Sequence, residues 1–271
     1  MVRKEDDTTK VHLSEVSSIV LQTNQVYISA YLLSELAKEK ISFVVADEKC
    51  SPIGHYLPLY GSHNTSKRIA EQLEWGEPIK KRVWQRVVKD KIAHQGMILN
   101  ARARETEGEV LLGLVSEVRS GDTTNREASA ARIYFQALFG PGFSRDDDTP
   151  VNAALNYGYS ILLSAVSREI VSRGYLTQCG ICHRNEYNQF NLSCDLMEPF
   201  RPIVDRLVFD NIGDSFEKED RYLLVDMLNQ SVSYRGGMYR IGSVIGLYVQ
   251  DCFAALNRRL SIDEIEPFDV L

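Results

Sequence analysis

No stretch of this 271-residue sequence approaches the ~20 consecutive apolar residues needed to cross a bilayer, so a membrane-spanning protein is excluded. An apolar leader is missing too. The first ten residues, from Met1 to Lys10, are mostly charged or polar, and nothing in them directs the chain out of the cytoplasm. Cysteine is scarce: five residues, an odd number scattered along the chain, point to reduced thiols rather than a disulfide framework. Positive charge is in deficit, with a formal net charge of −6. That balance argues against a protein that binds nucleic acid through its overall charge. Lysine is absent between Arg126 and Arg206, where every basic residue is arginine: 126, 132, 145, 168, 173, 184, 201 and 206. Arginine's planar fork suits phosphate, and it suits buried ion pairs equally well. Internal repeats and low-complexity segments are also lacking.

The hydrophobic fraction of 44% is ample for a core without external staples. β-Branched and apolar runs at 11–21 and 41–46 flank a helical pattern that begins at Ala30, which reads as a small mixed β unit. The loop-like Gly61-Ser-His-Asn-Thr-Ser leaves it. Beyond that point helical periodicity runs almost to the C-terminus. The expectation is therefore an α+β chain: an N-terminal β-rich domain over 1–62 and a larger, mostly α-helical catalytic domain over 63–271. The stretch from Pro78 to Ile92 reads as an amphipathic helix with Val83, Val87 and Ile92 inward and Arg82, Arg86 and Lys89 outward. That outer face is either simply solvated or a backbone contact for DNA. Thr149-Pro150 marks a helix start, with the acids at 146–148 near its positive end. The final residues, 256–271, read as a loose acidic tail.

Three segments place a histidine and several carboxylates where a helical domain can bring them together: Thr124-Asn-Arg-Glu127, Cys182-His183, and Cys194-Asp195-Leu-Met-Glu198-Pro. Such a set suits a hard or borderline divalent ion with open positions for water and phosphate. Glu127 has capping-box spacing from Thr124, which is the structural alternative for that residue. Asp195 and Glu198 share that spacing, but Pro199 pushes Glu198 away from helical geometry, leaving Arg201 as its bland partner. Cys179-Gly-Ile-Cys182-His183 also matches the attachment pattern of c-type haem, which needs an exported chain. With Cys194 the same residues suit a zinc knuckle, and the alternative function is then a DNA-binding scaffold without catalysis.

Taken together, Asn125-Arg-Glu127-Ala with Ala131-Arg-Ile-Tyr-Phe, Pro150-Val-Asn-Ala-Ala-Leu-Asn-Tyr-Gly-Tyr, His183 with Asn188-Gln-Phe-Asn, and Asp195-Leu-Met-Glu198-Pro-Phe-Arg-Pro closely resemble the CRISPR-associated adaptation integrases of the Cas-one family. The similarity extends over essentially the whole chain, including Leu57-Pro-Leu-Tyr-Gly, and is nearest to members from type II systems. The family usually opens with a further pair of strands, so the start of this chain reads as shortened.

The resemblance implies Glu127, His183 and Glu198 as metal ligands, with Asp195 a further acidic position beside them, to accept a proton or to orient His183. It implies Mg²⁺ or Mn²⁺ as cofactor, and a metal-dependent endonuclease and integrase of antiviral defence. Such an enzyme inserts short DNA fragments into a CRISPR array by attack of a fragment's 3′ hydroxyl on a phosphodiester at the repeat border. Arg126, Arg184 and Arg201, with Arg82 and Arg86, are the candidate DNA contacts; Asn156 and Tyr157 are expected to pack beside the centre. The implied partners are DNA, a second copy of the chain in a homodimer, a small second adaptation protein of the Cas-two family, and a type II effector nuclease with accessory proteins.

Overall fold

The computed structural model describes residues 2–4, 7–16, 18–21, 25–46, 52–59 and 61–271; Cys50, and Tyr60 of the linking motif, lie outside these. Strands β1 (Val2–Lys4) and β2 (Asp7–Thr9) pair antiparallel at the start of the chain. A second sheet follows. Its centre is β4 (Ser42–Ala46), parallel to β3 (Ser18–Leu21) and antiparallel to β5 (Pro52–Tyr56), with Ser18 opposite Ser42 and Phe43 opposite Tyr56. The parallel pair needs a crossover, and α1 (Ala30–Lys38) lies in that connection, begun by Ser29, whose Oγ accepts the Leu32 N–H at 3.1 Å. Leu36, Ile41 and Phe43 form this unit's own small core. The extended run expected over 11–21 is shorter, because His12 caps a 3-10 turn at Leu13–Glu15.

The sheet is tied to the helices beneath it. Ser42 and Ser164 share a buried hydroxyl hydrogen bond of 2.5 Å, and Arg168 Nε donates to the Lys40 carbonyl at 2.8 Å. Both residues belong to α6 (Pro150–Ser172), which starts as its sequence dictates: Thr149 Oγ1 accepts the Asn152 N–H and proline occupies the first turn. Midway along α6, a Cβ on Gly158 would stand 2.4 Å from Val204 Cγ1, so the close approach of α8 (Arg201–Asn211) requires glycine there.

At the centre runs α3 (Glu77–Ala101), 25 residues and ~37 Å long. It is walled by α4 (Glu105–Glu117), α5 (Arg126–Phe139), α7 (Asn191–Met197), α8 and α10 (Ile241–Leu256). Val83, Val87 and Ile92 face inward as expected. The helix differs from a simple amphipathic one in carrying Asp90, Lys91, His94 and Gln95 on its buried surface. Each needs a partner there, since an unpaired buried polar group is costly. Asp90 Oδ2 accepts Arg86 Nε and Tyr248 OH, both at 2.9 Å, and His94 Nδ1 bonds to the Pro199 carbonyl at 2.8 Å. Lys91 leads to the site described below. The shorter α2 (Thr65–Leu73) and α9 (Lys218–Asp226) complete the helices.

Two stretches near the C-terminus differ from the sequence reading. Helix does not continue through 231–240: β6 (Ser231–Tyr234) and β7 (Gly237–Arg240) form a hairpin across Arg235 and Gly236, both at positive φ. A two-residue turn of that kind matches the twist of its strands, and Val232 and Tyr234 alternate inward. The acidic tail is not loose. Ile265, Phe268 and Val270 are buried; Phe268 stacks on Phe200 at 4.3 Å, and the Asp269 N–H donates to the Ser233 carbonyl. Burial of three apolar side chains outweighs the charge of the acids between them.

Candidate functional site

The first glutamate stands in the opening turn of α5. At the start of α5 the exposed N–H groups of Arg126 and Glu127 are accepted by the two oxygens of Asp122, at 2.9 and 3.0 Å. Asp122 thus accepts the helix N–H groups that the Thr124 hydroxyl would take in a capping box, with Asn125 at φ 52° turning the chain into the helix. The Glu127 carboxylate reaches across to α3 instead, where Oε1 accepts from Lys91 Nζ at 2.7 Å.

The second glutamate arrives on the same ammonium from elsewhere in the chain. Contrary to the sequence expectation, Pro199 does not push Glu198 out of helical geometry: Glu198 keeps φ −52° and ψ −43°, and the chain runs from α7 through a 3-10 turn, Glu198–Phe200, into α8, with proline tolerated in the opening turn. The Glu198 side chain is 3% exposed; Oε2 accepts from Lys91 Nζ at 2.5 Å, and Oε1 meets Arg201 Nη1 at 3.2 Å. Burial works against charge on both partners, yet the attraction prevails. Lys91 is held above the ordinary lysine value by Glu198 and Glu127, and Glu198 below the ordinary glutamate value by Lys91 and Arg201. Removing one member of such a buried pair typically costs ~3–5 kcal/mol.

The third member of the set is oriented by Asp195. This carboxylate is fully buried on α7 and accepts four hydrogen bonds from the loop before it: Ile181 N–H at 2.6 Å and Cys182 N–H at 3.1 Å on Oδ2, His183 N–H at 3.0 Å and the His183 ring Nδ1 at 2.7 Å on Oδ1. With Nδ1–H donated to Asp195, Nε2 is the nitrogen left with a lone pair. The Asp195 hydrogen bond, reinforced by Glu198 and Glu127, raises the His183 pKa above the ordinary value. Trp84 of α3 abuts the imidazole edge-on at 5.8 Å. The loop closes this tightly because residue 180 is glycine: a Cβ there would sit 2.4 Å from the His183 carbonyl oxygen and 2.7 Å from Asp195 Oδ2.

Glu127 and Glu198, 71 positions apart in sequence, are therefore held on one cation with His183 beside them. Asp195 is saturated by its own loop, each oxygen accepting two donors. The side chains are not a ready-made cage: among the described residues no three of His, Cys, Asp and Glu form a cluster able to hold a metal ion. Lys91 Nζ stands between the two glutamates. Two carboxylates and an imidazole nitrogen are donor types that suit Mg²⁺ or Mn²⁺.

The cysteine alternative finds no support. Burial, with Asp195 and Glu127 nearby, pushes the Cys182 thiol up to about 11, and among the described residues no three of the cysteines and His183 are clustered to hold a metal ion. Cys194 Sγ accepts from Asn188 Nδ2, and Cys179, Cys182, Cys194 and Cys252 are all free thiols.

The arginines are disposed unevenly. Arg201 lies over the Tyr159 ring at 4.7 Å beside Glu198, whereas Arg126 pairs with Glu117 at 2.8 Å and Arg184 with Glu77 at 2.6 Å on the surface. Arg86 is turned to Asp90 rather than outward; Arg82 is exposed and borders a recess of about 380 Å³ shared with Arg258 and Arg259. Asn156 accepts from Arg145 Nη2 at 2.6 Å, and Tyr157 packs against Phe216. The tyrosine nearer the centre is Tyr159, two residues on and so on the other side of α6. Its hydroxyl donates to Asp205, a carboxyl that burial raises to about 7.

Sequence reasoning missed Lys91, Trp84, Tyr159 and Asp205. For Lys91 a signal existed, since it falls on the same helical stripe as Trp84, Val87, Val88 and Ile98, all buried, where a charge requires a partner.

Comparison with known proteins shows the family to which the chain belongs. The model of the family "CRISPR associated protein Cas1" matches residues 1–225. A CRISPR-associated endonuclease Cas1 of Neisseria meningitidis (serogroup C, strain 8013) is 41% identical over 208 residues, covering 77% of this chain and 68% of that protein. One from Pyrobaculum aerophilum is 27% identical over 227 residues, covering 77% and 74%. The fold is shared with a casposase bound to integration product, at TM-score 0.76 and 19% identity over 94% of this chain and 82% of that one. It is shared as well with a chain of a Cas6-RT-Cas1–Cas2 complex, at TM-score 0.74 and 22% identity over 98% of this chain and 34% of that longer one. Matched along most of its length by the family model and by a relative of this identity, the chain belongs to the CRISPR-associated protein Cas1 family.

Proposed function

We propose that this protein is a divalent-metal-dependent DNA endonuclease and integrase of CRISPR adaptation, joining short DNA fragments into the array by attack of a 3′ hydroxyl on a repeat-border phosphodiester. The observation that carries the reading is the convergence of Glu127 and Glu198 on one cation beside an imidazole fixed by Asp195. Glu127, His183 and Glu198 would hold Mg²⁺ or Mn²⁺, which when bound supplies a lowered hydroxyl pKa and charge neutralisation at the phosphoryl oxygens.

The chain's own groups do the rest. Asp195 keeps the His183 lone pair on Nε2 and holds the loop in place, so that the imidazole itself needs no reorientation in the reacting complex. Arg201, braced on Tyr159, carries a guanidinium suited to a phosphate oxygen next to Glu198. Beside His183 lies a recess of about 320 Å³ lined by Lys81, Trp84, Cys182 and Arg184 together with Glu77, which pairs with Arg184, and Lys81 is the cation there that a strand could meet. Sequence preference then comes from repeat shape and partner proteins more than from base contacts by this chain. The partners we assign are DNA, a second copy of the chain, and a small Cas2-type protein, the last supported by two structural neighbours that are Cas1–Cas2 complexes. The β-rich residues 1–62 and the helical residues 63–271 serve as the assembly and catalytic parts.

Glu198→Ala tests the reading. Strand transfer by the purified protein with Mn²⁺ is expected to fall at least 10³-fold, with binding of a branched DNA changed less than threefold. Unchanged integration refutes the assignment.

A further inference from the structure

Lys91 is an unexpected residue to find between two glutamates. A buried ion pair stabilises a fold little better than apolar residues of the same volume, and Val87, Val88 and Ile92 around it are fully buried. A lysine kept at that position asks for a role that leucine or methionine cannot fill. Its ammonium meets Glu127 at 2.7 Å and Glu198 at 2.5 Å, and Arg201 meets the other oxygen of Glu198 at 3.2 Å. These two carboxylates and two cations balance one another.

We infer that Lys91 is a displaceable internal cation: it holds Glu127 and Glu198 together until a divalent ion arrives, then yields the carboxylates and turns to a DNA phosphate. The inference rests on the metal centre proposed above. Mg²⁺ or Mn²⁺ draws carboxylate oxygens to ~2.1 Å, and an ammonium held between the same two carboxylates would be strongly repelled, so one cation holds them at a time. Lysine suits the exchange. Its charge is a single point on a flexible four-carbon stem, whereas a guanidinium would be locked by its planar fork.

Charge gives the consequence. With a divalent ion held by both carboxylates, Lys91 and Arg201 would lose their counter-charges, and the site would carry two more positive charges than before. A phosphodiester is the anion that relieves them. Metal and DNA therefore bind cooperatively, each raising the other's affinity by the same factor, because the displaced ammonium finds a new partner only when DNA is present. Metal uptake without DNA is held down by the competing lysine.

The experiment measures Mn²⁺ binding by calorimetry to wild type and Lys91→Met, each with and without a branched DNA duplex. In wild type, DNA is expected to tighten Mn²⁺ binding at least tenfold. In Lys91→Met, binding without DNA is expected to be at least tenfold tighter than in wild type, and the gain from DNA to shrink below threefold. If both proteins bind Mn²⁺ but the variant binds no more tightly, Lys91 is a purely structural residue and the inference fails while the centre stands. If neither binds Mn²⁺, the centre itself fails and takes the inference with it. A measurement on unaltered protein guards against misfolding of the variant: labelling of Lys91 by an amine-acetylating reagent, read by mass spectrometry. Labelling should rise severalfold when Mn²⁺ is added without DNA; unchanged protection overturns the displacement.

Discussion

Replacing Asp195 by asparagine changes one oxygen to an amide and nothing in size, so its consequences follow from hydrogen bonding alone. Each Asp195 oxygen accepts two donors: Ile181 and Cys182 N–H on one, His183 N–H and ring Nδ1–H on the other. Whichever way the asparagine turns, its NH₂ faces two donors and two hydrogen bonds are lost. Bonds to a charged acceptor contribute ~1.5–3 kcal/mol each, so Asp195→Asn should cost ~3–6 kcal/mol. For 271 residues that is a fall in melting temperature of about 5–10 °C.

The imidazole should report the same change. In the native protein Asp195 raises the His183 pKa, so removing its charge should move His183 titration, followed by NMR of the ring protons, to lower pH. The linkage has a definite sign. A raised histidine pKa contributes stability that is fully present below the unfolded value near 6.5 and is lost as pH rises through the folded value. The stability gap between native protein and variant should therefore narrow as pH rises through that window, while the hydrogen-bond part persists. A variant that melts within 2 °C of the native protein and whose His183 titrates unchanged would refute the claim that Asp195 anchors this loop.

Two further outcomes follow from the structure. Changing Cys179 and Cys182 together to serine should leave strand transfer within about twofold and the melting temperature within ~2 °C, since surface changes of this kind stay near ±0.5 kcal/mol. The Cys179 contact to Gln72 is made by its backbone carbonyl and survives the change; unfolding with release of zinc would revive the knuckle. Phe268→Ala should destabilise by ~3–5 kcal/mol, about 5–9 °C in thermal denaturation, because the ring is 3% exposed and stacked on Phe200 behind Glu198. A loss under 1 kcal/mol would mean that the tail is loose after all.

Much of this protein could be read locally. Thr149-Pro150 starts a helix wherever it occurs before an apolar run, and Val83, Val87 and Ile92 recur at helical spacing whatever they face. The motifs around Glu127, His183 and Glu198 are contiguous strings of residues, so family resemblance was visible without coordinates. The hairpin at 231–240 was legible too, from Ser-Val-Ser-Tyr alternation before Arg-Gly-Gly, but lay inside a stretch dominated by helical patterns. What folding alone decided is which groups share a partner. Capping-box spacing left Glu127 open between its own helix and the site, and the fold turns its carboxylate to Lys91 while Asp122 accepts the N–H groups at the helix start. Arg201 was the evident neighbour of Glu198, three residues away, yet the shorter contact comes from Lys91, 107 positions distant. Periodicity marks a buried charge as needing a counter-charge and is silent on which one, because ion pairs between helices are set by the angles at which those helices cross. The sequence determined the chemistry available to this chain; the packing of α3 against α5 and the turn at Glu198 decided that two of its carboxylates would meet on one lysine.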